Sequence, residues 1–540
     1  MLRSLKLFIN ILITACLFSF YTMLLIAFLN PRASFTAAVR LPIFLNLLTY
    51  YGPLWAVFIS LSFFIVQFFA ERKYPIGLIN PPTPVYFISY TALVASVVIY
   101  ANYDYYHVFF DSAAKARFIK FLLLNFLLLI LGIIFIFLRT RRKKWLQAFF
   151  MLLVFFSLWA GHALLMEKAA APPPAFNYSA PVIVPPRQIN LVIMEGLSLN
   201  YLLSVSQEQK LLNFNWIKEN GVIGSLRTFA PNPELAFFST LLSGEAPAAF
   251  GMHSDYQFQF NDAPLAFDTY PRYIFFRNSA RLEVTRFYKE RSGGYLDRLK
   301  EFYQASGFKT FSMVHPPVWP AYAENNLKKN NNFVQFFSAS LGQQDPKLTI
   351  LKKTFYYDDF IRNQIPELKT QNYRYSLVLL PGLENIHTFF YHYARPENFG
   401  TLIDDQDTGK YGWILDKYYE YYDAVLGKII GSMGDNELLL VASFYEMEPL
   451  PMWRRILVKN IGRRDVFVYK SMNTLGTFLL YEKAALKKGL FLDSVSLTNV
   501  FPTLLYYAGF PLSKGLKGEV IKDIFSDVFL AENPVYFATE

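Results

Sequence analysis

The sequence predicts a multi-pass helical membrane region of about five helices, followed by an α/β domain with a mostly parallel central sheet. Three observations carry that expectation. Apolar residues concentrate before residue 166, an Ala- and Pro-rich stretch follows, and short branched runs then alternate with helix-like segments across residues 188–540. Composition agrees: 53% of the 540 residues are hydrophobic and 17% charged, against about 25% charged in an ordinary soluble domain. That balance argues against a disordered chain and against a wholly soluble protein. Cys16 is the single cysteine, so an internal disulfide and a Cys-based zinc site are excluded.

Five stretches approach the roughly 20 residues that a spanning helix needs. They run over about 7–29, 53–70, 84–101, 118–138 and 146–165. The third is the weakest, because Pro81, Pro82 and Pro84 crowd its start. No small-x-small cleavage site follows the first, which therefore reads as an uncleaved helix and not a signal peptide. Arg3 and Lys6 precede the first stretch, Glu71-Arg72-Lys73 follows the second, and Arg139–Lys144 joins the fourth to the fifth. Five spans place all three basic segments on one side, which the positive-inside rule makes the cytoplasm. The expectation is a protein of the cytoplasmic (inner) membrane, held in the lipid bilayer, with its C-terminal domain outside the cytoplasm. The net charge of +11 is then largely a topology signal, and no nucleic acid is expected as a partner.

The domains so read are a transmembrane region at 1–166, an Ala/Pro-rich linker at 167–187, and an extracytoplasmic domain at 188–540. The linker composition favours an extended, polyproline-type spacer. In the third part, Gln188–Met194, Tyr375–Leu380 and Glu437–Ala442 are short runs of branched apolar residues, the pattern of strands buried on both faces. Each is followed by polar or small residues and then a helix-like stretch. In such a sheet the ligand site lies at the carboxyl ends of the strands.

Five blocks fall at those ends, in order: NLVIMEGLS (190–198), GVIGSLRTFAPNPELAFFSTLLSGEAPAAFGMHS (221–254), LVLLPGLENIHTFFYHYARPENFG (377–400), YGWILDKYYEYYDAVLGKIIGSMGDNELLLVASFYEMEP (411–449) and TLGTFLLYEKAALKKGLFLDSVSLTNVFPTLLYYAGFPL (474–512). In these blocks residues 188–540 resemble the alkaline phosphatase superfamily, most closely its type I phosphodiesterase/nucleotide pyrophosphatase branch, with sulfatase-like relatives. Helices ahead of such a domain resemble the layout of lipoteichoic acid synthases and lipid A phosphoethanolamine transferases. The resemblance implies two metal ions, commonly zinc or manganese, a Thr or Ser nucleophile, and phosphoryl chemistry outside the cytoplasmic membrane. Two-metal catalysis needs oxygen and imidazole ligands that hold both ions beside an activated hydroxyl.

Position by position, this chain departs from that pattern. Glu195 stands where the family has its first Asp ligand, and Glu234 occupies the nucleophile position. His387 holds the place of a ligand histidine, and it equally suits a structural role in an aromatic-rich stretch. Leu383 falls where an Asp ligand is expected, with Glu384 beside it. Phe444 and Tyr445 replace the Asp-His of Ser-Asp-His-Gly, and Met472 falls on the last ligand histidine. Glu384 and Glu446 are residual carboxylates. Glu195 and Glu234 would repel unless a cation or basic side chain neutralises them. The sequence therefore predicts a pseudoenzyme without a bound cofactor: a binding or scaffold subunit of a cell-envelope system, engaging an envelope protein or a phosphate-, lipid- or glycan-type ligand. The alternative is an active phosphodiesterase or phospho-head-group transferase with an atypical centre and a divalent metal such as zinc or manganese.

Overall fold

The structure, a computed structural model, describes residues 2–31, 35–73, 84–137, 186–206, 211–231, 233–250, 255–260, 265–272, 282–286, 296–314, 332–461, 466–470 and 474–538, with isolated positions between them. The chain forms two compact units, Met1–Pro173 with Pro247–Ser292, and Pro174–Ala246 with Gly293–Glu540.

The first unit contains helices α1 (Leu2–Leu29), α2 (Ala37–Tyr50), α3 (Gly52–Lys73), α4 (Pro84–Tyr106) and α5 (Ser112–Phe137). Among the described residues, two stretches are long and apolar enough to cross a membrane, Ile11–Leu29 and Ser112–Ile134. A third is reached only if the pair Ala38–Tyr50 and Gly52–Ser62, bent by 48°, is taken as one span. The expected count of about five is not supported. Helix α4 is long enough, but Tyr, Ser, Thr, Asn and Asp dilute its apolar content. The predicted 146–165 span and the 167–187 linker lie largely outside the described residues. The bend before α3 coincides with Pro53, which lacks an amide hydrogen and so cannot continue the hydrogen-bond ladder of α2.

The same unit includes the excursion 247–292, with the antiparallel strands β3 (Tyr256–Phe260), β4 (Ala266–Phe267) and β5 (Leu282–Arg286). Two buried asparagines bind its backbone to the helices. At the end of α1, Asn30 donates to the carbonyls of Ile26 (2.7 Å) and Thr269 (2.8 Å), and its Oδ1 accepts from the amides of Asp268 (3.0 Å) and Thr269 (2.8 Å). Near the end of α4, Asn102 reads Arg272 in the same way, donating to its carbonyl (2.9 Å) and accepting from its amide (2.7 Å). Tyr51 and Tyr270 share a hydrogen bond of 2.7 Å between them. Buried amide side chains satisfy backbone groups that no strand partner serves.

The second unit is built on a seven-stranded sheet. Its strands are β1 (Gln188–Met194), β2 (Val222–Arg227), β6 (Thr310–Met313), β7 (Tyr375–Leu380), β8 (Glu437–Ser443), β11 (Leu475–Tyr481) and β12 (Leu490–Ser496), in the order β12-β2-β11-β8-β1-β7-β6. The pairings β1–β7, β1–β8, β6–β7 and β12–β2 are parallel, and β11 alone runs against its neighbours. A separate short ladder joins β9 (Met447–Pro449) to β10 (Val468–Lys470). Alternation along β1 sends Val192 and Met194 into one core and Ile189, Leu191 and Ile193 into another. Both faces are therefore buried, which explains the near-continuous apolar runs. The helices used below are α6 (Leu199–Ser206), α7 (Glu234–Ser243), α8 (Gly382–Ala394), α9 (Ile414–Ser432) and α10 (Leu497–Ala508).

Candidate functional site

Strand ends bring four of the expected positions together. Glu195 follows β1 directly, Tyr445 lies just beyond β8, Glu234 opens α7, and Glu384 sits in the first turn of α8. Gly196 makes the approach of α8 feasible. Its φ is +78°, and a Cβ there would meet the Cα and amide nitrogen of Glu384 at 2.8 Å. Only glycine tolerates both that backbone and that contact.

The carboxylates are not alike. Glu195 is 4% exposed and shares a hydrogen bond with Glu234. Burial, then the negative charges of Glu234 and Glu384, push its pKa well above the ordinary carboxylate range, with Lys470 acting in the opposite sense. Such a pair holds a proton between two oxygens instead of two adjacent charges. Glu384 has other partners: Tyr445 donates its hydroxyl to Oε2 at 2.6 Å, and Lys470 Nζ lies 3.2 Å from the same atom. The ammonium also stands 4.4 Å from the centre of the Tyr445 ring. Burial first, then the surrounding carboxylates, raise the Tyr445 phenol well above its usual value, so it remains a donor.

The other expected residues go elsewhere. His387 is fully buried, with Nε2 3.1 Å from the Tyr419 hydroxyl and its ring edge-on to Tyr201. Burial, followed by nearby Arg395, lowers its pKa to about 3, so the imidazole is neutral. Leu383 is wholly buried in the core. Phe444 stacks on Phe237 at 5.0 Å and meets Phe238 edge-on at 5.2 Å. Glu446 turns away to α6, where Oε1 accepts from the amide of Leu199 (3.0 Å) and the hydroxyl of Ser198 (3.2 Å), a carboxylate at a helix N-terminus. Met472 lies outside the described residues.

The hydroxyls nearest Glu234 on α7 are not placed as a nucleophile. Ser239 and Thr240 are buried in α7, and Ser239 Oγ accepts from the Leu296 amide at 3.0 Å. Among the described residues no group of three or more His, Cys, Asp or Glu side chains is arranged to hold a metal ion. Lys470 is the participant that sequence reasoning missed. Its only signal is an isolated lysine in a three-residue strand, which reads as an ordinary surface position.

No family model matches the chain, and no curated protein matches it. Among solved structures, human ectonucleotide pyrophosphatase/phosphodiesterase 5 is similar over 63% of this chain and 100% of its own, at 10% identity and a TM-score of 0.38. The murine protein matches over the same shares at 11% identity and a TM-score of 0.35. An inactive murine variant in complex with AMP matches at 11% identity and a TM-score of 0.34, again over 63% and 100%. These neighbours belong to the alkaline phosphatase superfamily, and the likeness is a distant one of fold from which no activity is drawn.

Proposed function

We propose that this is a membrane-anchored, extracytoplasmic protein with an alkaline-phosphatase-like α/β domain that works by binding, not by phosphoryl transfer, as a subunit of a cell-envelope system. One observation carries the reading: the polar groups at the strand ends are engaged with each other. Glu195 is bonded to Glu234, and Glu384 to Tyr445 and Lys470. Two divalent ions need several carboxylate and imidazole donors around each. Here His387 is committed to Tyr419, Glu446 to α6, and Phe444 to its aromatic neighbours. Among the described residues no group of three or more His, Cys, Asp or Glu side chains is arranged to hold an ion, which supports the binding reading. The basic segments flanking the apolar helices support an inner-membrane location with residues 188–540 outside, and the ligand is then an envelope protein or a phosphate-, lipid- or glycan-type molecule.

A second reading has its own support. Glu195 Oε1 is buried without a hydrogen-bond partner among the described residues, and Glu234 sits where a helix N-terminus favours a charged carboxylate. Glu234 would then serve as nucleophile or base in an atypical phosphodiesterase or head-group transferase. The full chain, purified in detergent, is incubated with bis(p-nitrophenyl) phosphate and zinc, manganese or magnesium, and its metal content is measured. The binding reading expects no turnover above that of Glu234→Ala and far less than one ion per chain. Turnover that Glu234→Ala abolishes overturns it in favour of the second.

A further inference from the structure

The other end of the same sheet carries a separate feature. A cleft of about 520 Å³ opens at the amino ends of β1 and β7, lined by Arg187, Arg374, Asn436, Tyr506, Phe510 and Tyr536 among others. That volume is within the usual range for small-molecule sites, about 300–1,000 Å³. The length of β1 separates it from Glu195 by about 20 Å at 3.3 Å per residue, so the two sites do not overlap.

Two guanidinium groups enter this cleft from adjacent strands. Arg187 immediately precedes β1, and its amide bonds to the Ala508 carbonyl at 3.2 Å. Arg374 immediately precedes β7, with its amide on Lys309 and its carbonyl accepting from Ile189, each at 3.0 Å. The Arg187 side chain is fixed by the Tyr507 carbonyl (2.9 Å) and Asn533 Oδ1 (2.7 Å), and it lies 4.8 Å from the centre of the Phe529 ring. All three partners are neutral. The Arg374 side chain has no hydrogen-bond partner, and neither arginine has an ion pair, among the described residues. Glu532 also lines the cleft and forms no ion pair with them. Two arginines lining one cleft, neither of them ion-paired among the described residues, are a recognition element for phosphate or carboxylate.

The remaining lining defines the body of the ligand. The 60%-exposed Tyr536 presents aromatic surface beside the largely buried Tyr506 and Phe510. The exposed Asn436 presents an amide, while the Asn533 amide is held by Arg187 and the Phe529 carbonyl. An exposed aromatic face with an amide on the same cleft suits a polyhydroxylated ring, and the arginines suit an acidic substituent on it. We propose that this cleft binds an acidic sugar, a saccharide bearing a phosphate or carboxylate group.

The test uses the full chain in detergent, titrated calorimetrically at low salt with glucose 1-phosphate, glucuronate, glucose and inorganic phosphate. At least one acidic sugar is expected to bind no less than tenfold more tightly than glucose or phosphate. Which one binds distinguishes a phosphate from a carboxylate ligand. Arg374→Ala should weaken that binding at least tenfold with the thermal midpoint unchanged, and Arg374→Lys should recover only part of it. Lys470→Met, at the opposite end of the sheet, should leave it unaltered, so this result stands apart from the fate of the binding reading above. Absence of binding by both acidic sugars, equal binding of glucose or of phosphate alone, or full binding by Arg374→Ala overturns the proposal.

Discussion

The two ends of the seven-stranded sheet treat charge in opposite ways. At the carboxyl ends Glu195, Glu234, Glu384, Tyr445 and Lys470 are packed together and answer one another. At the amino ends Arg187 and Arg374 line an open cleft, which Glu532 shares, without an ion pair among the described residues. The members of the first cluster are bonded to one another, with one oxygen each of Glu195 and Glu234 outside those bonds. Such a cluster has less to offer a ligand than free side chains, and dismantling it costs stability. Unpaired cations in a cavity cost little to reach and gain most from an incoming anion. The location where an α/β fold usually binds is here the more self-contained of the two.

Breaking the packing at the carboxyl end should give the largest effect. Phe444→Ala removes a fully buried ring stacked on Phe237 and edge-on to Phe238. Truncations of this kind cost about 3–5 kcal/mol, so a large drop in the thermal midpoint of the full chain is expected. A drop no greater than that of an exposed substitution such as Trp453→Ala would mean that Phe444 is not part of a sealed core.

A matched pair of glycines sharpens the contrast. Gly196 and Gly509 both have positive φ, +78° and +90°. A Cβ at Gly196 collides with the Glu384 backbone, whereas one at Gly509, which lines the cleft, meets nothing within 4 Å. Gly509→Ala should therefore cost only the left-handed backbone penalty, about 1–2 kcal/mol. Gly196→Ala should cost that and a further 1–3 kcal/mol or so for the overlap. Equal midpoints for the two variants would show that Glu384 does not press on the strand end as described.

Much of this arrangement was legible in the sequence, for reasons that differ by element. Strands β1, β7 and β8 were readable because both their faces are buried, which forces continuous branched runs. The ladder of β9 with β10 was not, since three residues such as Val468-Tyr469-Lys470 carry no period. Glu195 and Glu234 were legible as a strand end and a helix start. Which of Leu383 and Glu384 would face the site was left open, because adjacent helical residues point about 100° apart, and α8 buries Leu383 in the core. The span count failed where apolar length and polar content conflict, as in α4. The docking of 268–272 onto Asn30 and Asn102 had no local sequence signal at all, because it depends on contacts between residues 170 to 239 positions apart.

The smallest effect expected is also the most specific to the carboxyl pair. Burial and the neighbouring carboxylates raise the Glu195 pKa in the folded protein, so the folded state binds a proton that the unfolded state has already released. The stabilisation associated with that proton is fully present below the unfolded value, near 4.3 for glutamate. It is lost as pH rises toward the folded value, at up to about 1.4 kcal/mol per pH unit for one proton. Asp358, buried and held at about 7 mainly by desolvation, contributes in the same direction over the lower part of that window. Glu195→Gln keeps a hydrogen-bonding side chain but cannot ionise. Between pH 5 and pH 8 the thermal midpoint of Glu195→Gln should lose less, relative to its own value at pH 5, than that of the wild-type chain. Asp358 at about 7 and Asp297 at about 6 lower stability with rising pH in both chains. His387 and His392, held at about 3, act oppositely in both, so the difference in slope belongs to Glu195. Identical slopes would mean that Glu195 is already ionised across this range and that the shared proton with Glu234 does not exist. Arg374→Ala should keep the wild-type slope, since guanidinium stays charged throughout and Glu195 is untouched, and that difference from Glu195→Gln separates the two ends of the sheet in a single titration series.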